Sequence, residues 1–218
     1  MKEVLLFDLD GVILDSMPWH VRAWQEAFRS FGLEIPEEAI YLHEGAIELD
    51  TARELFTGQG IIPTPEFFRE AFRLQKEIFT RKYRSRVQPF PGVVEQLEEL
   101  KREGRKLALV TSSHREILRE VLPASVEKLF DLIVSGDRVP RRKPHPDPYL
   151  TGLRELGASP QRALAVENAP AGIRSAKSAG LFCIAITTTL PPEHLREADL
   201  IVEDHPKLFR WLRNGRNS

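Results

Sequence analysis

The sequence predicts an α/β sandwich built on a parallel sheet, with a helical segment inserted after the first strand. Short aliphatic runs recur along the chain and are apolar on both faces, which is typical of strands buried in a parallel sheet. Amphipathic helical stripes lie between these runs, and this alternation indicates an α/β architecture. No convincing strand pattern occurs between about residues 15 and 87, which indicates an insertion.

The predicted strands are brief and mostly aliphatic. They cover residues 4–7, 107–110, 132–134, 163–166, 183–186 and 200–202. The helical stripes between them end at glycines, which commonly terminate helices. These glycines are Gly104, Gly157 and Gly180. Strands that alternate with helices in this way predict a Rossmann-like sandwich with right-handed crossovers.

The pattern divides the chain into a core and a cap. The core is predicted to comprise residues 1–14 and 88–218, and the helical cap domain residues 15–87. Two helical patterns fall within the cap, at residues 19–31 and 66–83.

The composition of the 218-residue chain is that of a soluble globular protein, with 42% hydrophobic and 29% charged residues. Its formal net charge of −1 gives no reason to expect nucleic acid or an anionic membrane surface as a partner. No apolar run approaches the roughly 20 residues that cross a membrane. The single cysteine, Cys183, excludes an intrachain disulfide and fits a reducing cytosol. We therefore expect a cytoplasmic protein; the sequence does not determine its oligomeric state, and we take a monomer as the default.

The first predicted strand ends in Asp8-Leu9-Asp10-Gly11. Because residues i and i+2 of a strand point the same way, both carboxylates can face one pocket. Gly11 permits a sharp turn away from that pocket. The alternative, on this motif alone, is that two aspartates simply terminate the strand.

Hydroxyl side chains follow the second predicted strand. Thr111, Ser112 and Ser113 supply hydroxyls and loop amides, which can hold phosphate oxygens. The alternative is a helix N-cap, in which Ser112 or Ser113 caps the following helix while Thr111 faces the pocket.

A lysine follows the third predicted strand, within Arg141-Arg142-Lys143-Pro144. The backbone of a residue ahead of proline is extended and restricted, so Lys143 can aim its ammonium group at the site. The alternative is a solvated basic loop, and we prefer that interpretation for Arg141 and Arg142.

Glu167 and Asn168 follow the fourth predicted strand and offer oxygen ligands, which suit a hard cation such as Mg²⁺. The whole set predicts phosphoryl transfer, in which a carboxylate attacks a phosphoryl group and forms an aspartyl phosphate. A cation must bridge the two anions, and a lysine with loop amides stabilises the equatorial oxygens. Asp10 lies where a general acid/base is needed.

These residues resemble the four motifs of the haloacid dehalogenase superfamily, in the right order and over nearly the whole chain. The matching residues are Asp8-Leu9-Asp10-Gly11-Val12, Thr111, Lys143-Pro144 and Glu167-Asn168. Residues 8–24 look especially like the beta-phosphoglucomutase and sugar-phosphatase branch. The resemblance implies a nucleophilic Asp8, a general acid/base Asp10, phosphoryl binding by Thr111 and Lys143, and Mg²⁺ held by Asp8, the Asp10 carbonyl, Glu167 and Asn168.

The resemblance also implies substrate contacts. His20 matches a residue at the cap hinge that helps to position Asp10, and Lys76 matches a lysine that the branch uses near the substrate. The alternative for His20 is an ordinary core or surface histidine. The alternative for Lys76 is that it is one of several lysines on a solvated helix face. The expected substrate-binding set is completed by Ser112, Ser113 and Gly45.

Two positions depart from the family pattern. The family usually has an acid where this chain has Asn168, so we expect weaker Mg²⁺ binding or a larger role for Glu167. Glu48 takes the position at which beta-phosphoglucomutases carry an arginine for the distal phosphate, and a carboxylate there repels a second phosphate.

We therefore expect a Mg²⁺-dependent phosphatase that hydrolyses a small phosphorylated metabolite, such as a sugar phosphate. The first alternative is a phosphosugar mutase of the beta-phosphoglucomutase type, which Glu48 argues against. The second is a non-catalytic binding module, which only Asn168 supports. Dehalogenation uses the same kind of nucleophile but does not need Asp10, Gly11 or a metal.

Overall fold

A single parallel sheet organises the computed structural model, which describes residues 2–43, 56 and 63–215. The strand order is β3-β2-β1-β4-β5-β6. The strands are β1 Val4–Phe7, β2 Lys106–Val110, β3 Leu132–Val134, β4 Ala163–Glu167, β5 Phe182–Ile186 and β6 Leu200–Val202. This arrangement confirms the predicted α/β class, and every strand lies within one residue of its predicted bounds.

The helices connect and cover these strands. They are α1 Met17–Arg29, α2 Glu37–Leu42, α3 Pro65–Ile78, α4 Val93–Arg102, α5 Arg115–Val121, α6 Ala124–Glu127, α7 Asp147–Leu156, α8 Pro170–Ser178 and α9 His205–Asn214. A π-helical turn, Phe79–Tyr83, continues α3. Short 3₁₀ turns occur at Arg84–Arg86, Gly136–Arg138, Pro160–Arg162 and Pro192–His194. Within the described part of the chain, no helix is long and apolar enough to cross a bilayer.

Both faces of the sheet are buried, which explains why its strands are apolar throughout. On β1, Leu5 and Phe7 pack into one hydrophobic cluster, whereas Val4 and Leu6 pack into another on the opposite face. Gly157 closes α7 in the left-handed conformation, with φ of 63°. The alternation of strand and helix is thus a consequence of two packed layers around one sheet.

The helical insertion has an apolar cluster of its own. Phe56 lies edge to face against Phe28 of α1 and Phe68 of α3, with ring centroids 5.3 and 5.4 Å apart. The chain leaves the core and returns to it at adjacent points, where the Asp15 amide donates to the Gln88 carbonyl at 2.8 Å. The predicted helical patterns correspond to α1 and to α3 with its π turn. The domain bounds at residues 15 and 87 stay a prediction.

Candidate active site

A cavity of about 450 Å³ lies at the carboxyl edge of the sheet, where the ends of β1, β2 and β4 meet the inserted helices. Of the side chains predicted for the site, those that line it are Asp8, Asp10, His20, Lys76, Thr111, Ser112, Ser113, Lys143, Glu167 and Asn168. The predictions for Gly45 and Glu48 fall outside the described residues. Strand pairing causes this convergence, since β1 lies between β2 and β4.

Lys143 joins two acidic side chains in the cavity. Its Nζ lies 2.5 Å from Asp8 Oδ1 and 2.6 Å from Glu167 Oε1. It also donates to the Val110 carbonyl at 3.0 Å. All three charged side chains are buried. One cation between two anions is the pairing that buried charges require.

The pKa values of this pair reflect burial and charge together. Burial raises the pKa of Asp8 to about 7; the charge of Lys143 opposes this shift, and those of Glu167 and Asp10 add to it. Burial by itself lowers the pKa of Lys143, but the charges of Asp8 and Glu167 outweigh burial and raise it above its ordinary value. Lys143 is therefore a permanent cation, and a second cation beside Asp8 would complete the ionisation of its carboxyl group.

Tyr149 belongs to this network, although the sequence pattern does not single it out. Its hydroxyl donates to Glu167 Oε1 at 2.5 Å, and Lys143 Nζ lies 5.4 Å from the centroid of its ring. Burial raises the pKa of Tyr149 well above its ordinary value, so the hydroxyl stays a donor. Glu167 Oε1 thus receives two donors, which fixes the orientation of its carboxylate.

The variant Tyr149→Phe is expected to lower the free energy of unfolding by about 1–3 kcal/mol, because a buried carboxylate loses one donor while the ring is kept. Urea denaturation measures this change. Tyr41→Phe is the matched control, since Tyr41 donates to Glu37 at 2.9 Å on the exposed surface. We expect the control to change by less than about 0.5 kcal/mol. Equal losses in both variants would contradict a special role for the buried hydroxyl.

Asp10 accepts hydrogen bonds on both carboxylate oxygens. Ser16 Oγ donates to Oδ1 at 2.6 Å, Ser113 Oγ donates to Oδ2 at 3.1 Å, and His20 Nε2 lies 3.6 Å from Oδ1. Burial alone raises the pKa of Asp10, but the interactions with His20, Ser16 and Ser113 outweigh it and hold the pKa below its usual range. The pKa values of Asp8 and Asp10 are thus shifted in opposite directions.

His20 connects Asp10 to the inserted helices. Its imidazole stacks on Phe79 with ring centroids 4.0 Å apart, and Gln75 Nε2 lies 3.3 Å from its Nδ1. With the Gln75 amide nitrogen as donor, Nδ1 accepts and the ring proton lies on Nε2, towards Asp10. The role of His20 at the cap hinge stays a prediction.

The hydroxyl loop after β2 faces the cavity. Thr111 Oγ1 accepts from the Ser113 amide at 3.0 Å, and the Ser113 hydroxyl is directed to Asp10. The alternative that Ser112 or Ser113 caps the next helix is wrong, because α5 begins after His114 and its N-cap makes no side-chain hydrogen bond. The serines therefore contribute to the wall of the cavity rather than to the helix end.

The two arginines before Lys143 have different surroundings. Arg141 forms an ion pair with Asp147 at 2.8 Å and its side chain is exposed, as a solvated basic loop requires. For Arg142 that interpretation is wrong, because Arg142 lines the cavity and donates to His114 Nε2. Burial and the charge of Arg142 lower the pKa of His114, so the imidazole is neutral and can accept this bond. Arg142 thus adds positive charge to the cavity.

Two glycines make room for the acid/amide pair at the end of β4. A Cβ atom at Gly172 would overlap the carboxylate of Glu167, and one at Gly11 would overlap the amide of Asn168. Asn168 Nδ2 donates to Thr189 Oγ1 at 3.1 Å. Both Glu167 and Asn168 are therefore held at the carboxyl edge by close backbone approach and by hydrogen bonds.

Lys76 lines the cavity from α3, but its ammonium is already engaged. Lys76 Nζ lies 2.6 Å from Glu116 Oε2 on α5, so the pair bridges the inserted helices and the core. Both side chains are exposed, and such pairs contribute little to stability. The role of Lys76 in substrate binding stays a prediction.

The chain matches the family of haloacid dehalogenase-like hydrolases over residues 5–186. It is 33% identical to Hexitol phosphatase A of Escherichia coli (strain K12), covering 90% of this chain and 88% of that protein. It is also 33% identical to a Phosphorylated carbohydrates phosphatase of Thermotoga maritima, covering 82% of each.

Solved structures show the same fold with bound ligand. A variant of CbbY from Rhodobacter sphaeroides in complex with xylulose-(1,5)bisphosphate superposes with a TM-score of 0.74 and 29% identity, over 93% of this chain and 94% of that one. The chain thus shares its fold with that protein over nearly its whole length. The chain belongs to the haloacid dehalogenase-like hydrolases.

Proposed function

We propose that the protein is a Mg²⁺-dependent phosphatase that hydrolyses a small phosphomonoester of the sugar-phosphate class through an aspartyl phosphate on Asp8. The observation that carries this proposal is the pairing of buried Asp8 with Lys143 in a cavity that also holds Asp10. The names of two relatives, Hexitol phosphatase A and Phosphorylated carbohydrates phosphatase, support the substrate class.

The chemistry runs in two displacements at phosphorus. In the first, a carboxylate oxygen of Asp8 attacks, and the bond from phosphorus to the substrate oxygen breaks. Asp10 gives that oxygen its proton, so the leaving group departs as an alcohol. A phosphoryl dianion beside Asp10 raises the proton affinity of its carboxyl group, because like charges disfavour ionisation.

In the second displacement, ionised Asp10 takes a proton from water as the water oxygen attacks phosphorus. The bond from phosphorus to Asp8 then breaks, which releases inorganic phosphate and regenerates both aspartates. Lys143 and the amides of the Thr111 loop stabilise the equatorial oxygens in both steps. His20 and Ser16 keep Asp10 oriented between the steps.

The residues at the ends of β1 and β4 fit a magnesium ion. Asp8, the Asp10 carbonyl, Glu167 and Asn168 offer only oxygen donors, which is the chemistry that Mg²⁺ prefers. Within the described part of the chain, no three His, Cys, Asp or Glu side chains gather as a metal site. Mg²⁺ does not need such a group, because it usually takes one or two carboxylates together with water and substrate phosphate. When bound, it would offset the repulsion between Asp8 and the phosphoryl group.

The variant Asn168→Asp is expected to lower the Mg²⁺ concentration for half-saturation by about tenfold, because a carboxylate adds charge that an amide oxygen lacks. Thr189, which lies 3.1 Å from Asn168 Nδ2, can donate its hydroxyl to the new carboxylate. Mg²⁺ titrations of phosphate release and of tryptophan fluorescence measure the shift. Asn214→Asp, at the exposed end of α9, is the control and should leave half-saturation unchanged. An unchanged value for Asn168→Asp would remove residue 168 from the metal shell.

The proposal is tested by phosphate release from hexose phosphates, hexitol phosphates and glycerol 3-phosphate, with Mg²⁺ and with EDTA. We expect release that requires the metal and is lost in Asp8→Asn. Release that persists in EDTA or in Asp8→Asn would contradict the proposal. Interconversion of glucose 1-phosphate and glucose 6-phosphate without net release of phosphate would establish the mutase alternative. Glu48, which argues against a mutase, lies outside the described residues.

A further inference from the structure

The inserted helices give the cavity an apolar wall. Trp24 of α1 and Phe72 of α3 both line it, edge to face, with ring centroids 4.8 Å apart. Phe72 is 36% exposed. Among the large apolar side chains that the structure describes, only Leu150 is also exposed to this degree, and Leu150 does not line the cavity. Uncovered aromatic surface in the cavity that holds Asp8 indicates a position for an apolar part of the ligand.

The polar side chains that α3 contributes to the cavity already have partners. Arg73 pairs with two glutamates of its own helix at 2.7 and 3.1 Å, and Arg69 pairs with another at 2.7 Å. Lys76 pairs with a glutamate of α5, and the amide of Gln75 donates to the imidazole of His20. A ligand hydroxyl at α3 must therefore compete with an existing bond, whereas the surface of Phe72 is open.

We infer that the exposed ring of Phe72, supported from behind by the buried Trp24, binds the apolar face of a ring in the leaving group, so that the preferred substrates are phosphomonoesters of cyclic sugars rather than of open-chain sugars or polyols. This inference deepens the proposed function and rests on it. A pyranose ring presents carbon-bound hydrogens on a fixed face, which can pack on an aromatic side chain. An open chain has no fixed face and loses more rotational freedom when it binds.

Glucose 6-phosphate and glucitol 6-phosphate form a matched pair of probes, because they share a carbon skeleton and a phosphate position and differ in the ring. We expect the wild-type kcat/KM for phosphate release to be about tenfold higher for glucose 6-phosphate. In Phe72→Ala, kcat/KM for glucose 6-phosphate is expected to fall about tenfold, mainly through KM, while the value for glucitol 6-phosphate stays within about twofold. If Phe72→Ala does not fold, Phe72→Leu takes its place, because leucine keeps an apolar side chain of similar bulk but has no flat aromatic face.

Leu150→Ala is the matched control, since it removes an exposed large apolar side chain at a site away from the cavity, and both kcat/KM values should be unchanged. Equal use of the two probes by the wild type, or equal losses for both in the Phe72 variants, would overturn the inference. Glycerol 3-phosphate separates this failure from a failure of the proposed function. If glycerol 3-phosphate is hydrolysed in an Asp8-dependent way but glucose 6-phosphate is not preferred over glucitol 6-phosphate, only the aromatic subsite is overturned. If no ester gives Asp8-dependent phosphate release, the proposed phosphatase activity itself is overturned.

Discussion

Replacing Lys143 by methionine is expected to reduce both the stability and the activity of the protein sharply. The ammonium lies 2.5 Å from Asp8 and 2.6 Å from Glu167 in a buried site. Methionine keeps the length of the side chain and removes its charge, so two buried carboxylates face each other without a cation. Removing one partner of a buried pair costs about 3–5 kcal/mol of stability. Losing the positive charge that faces the phosphoryl oxygens lowers kcat by a factor of about 10³.

The loss of stability in Lys143→Met is expected to depend on pH. Burial raises the pKa of Asp8 to about 7 even with Lys143 present, so the pKa rises further without it. The folded variant then binds more protons than its unfolded chain, and its stability falls as pH rises. Urea denaturation at about pH 5 and about pH 8 measures the effect, and the deficit relative to wild type should be larger at the higher pH.

Lys101→Met is the matched control for this variant. Lys101 lies 2.6 Å from Asp131, but both side chains are about a third exposed. Such pairs contribute about 0–1 kcal/mol, so the control should be nearly neutral. A Lys143→Met protein as stable as the wild type at both pH values, or with kcat within about tenfold of it, would contradict the role assigned to Lys143.

The variant Gly172→Ala is expected to abolish most of the metal-dependent activity, with a loss of at least about 100-fold in kcat/KM. A Cβ atom at this position would overlap the carboxylate of Glu167. Because Glu167 is held by Lys143 and Tyr149, the carboxylate can move only by breaking those contacts. Alanine is the better helix former, so a loss of function would come from the close contact and not from the helix itself.

Phosphate release as a function of Mg²⁺ measures the effect of Gly172→Ala, and thermal unfolding shows whether the protein is folded. Arg174→Ala lies on the same helix with its side chain exposed and paired with Glu197 at 3.3 Å, so it is expected to behave as the wild type. Wild-type activity and an unchanged Mg²⁺ requirement in Gly172→Ala would show that the position of Glu167 does not matter.

The sheet and the edge that carries the site were predictable because strand periodicity and strand ends are local features. Asp8 and Glu167 are far apart in sequence, yet each follows a predicted strand, and parallel pairing of β1 with β4 brings the two strand ends together. The end of α7 was predictable in the same way, because its amphipathic pattern stops at Gly157, which takes the left-handed conformation there.

Other parts of the site depend on tertiary contacts that no local pattern records. Ser16 precedes α1, where a serine ordinarily indicates a helix cap, but its hydroxyl donates to Asp10 instead. Tyr149 lies on the buried face of α7, and only the packing of α7 against the sheet brings its hydroxyl to Glu167. Arg142 and Arg141 are neighbours of the same type, so only the direction of the loop distinguishes the cavity residue from the solvated one.

The residue that carries the phosphoryl group can be identified directly. A single turnover with glucose 6-phosphate and Mg²⁺ is quenched in acid, reduced with borohydride and digested, and the peptides are sequenced by mass spectrometry. Borohydride converts an aspartyl phosphate to homoserine, so we expect homoserine at position 8 in the wild type and at no position in Asp8→Asn. Homoserine at position 10, or turnover of substrate without reduction at any aspartate, would contradict covalent catalysis by Asp8.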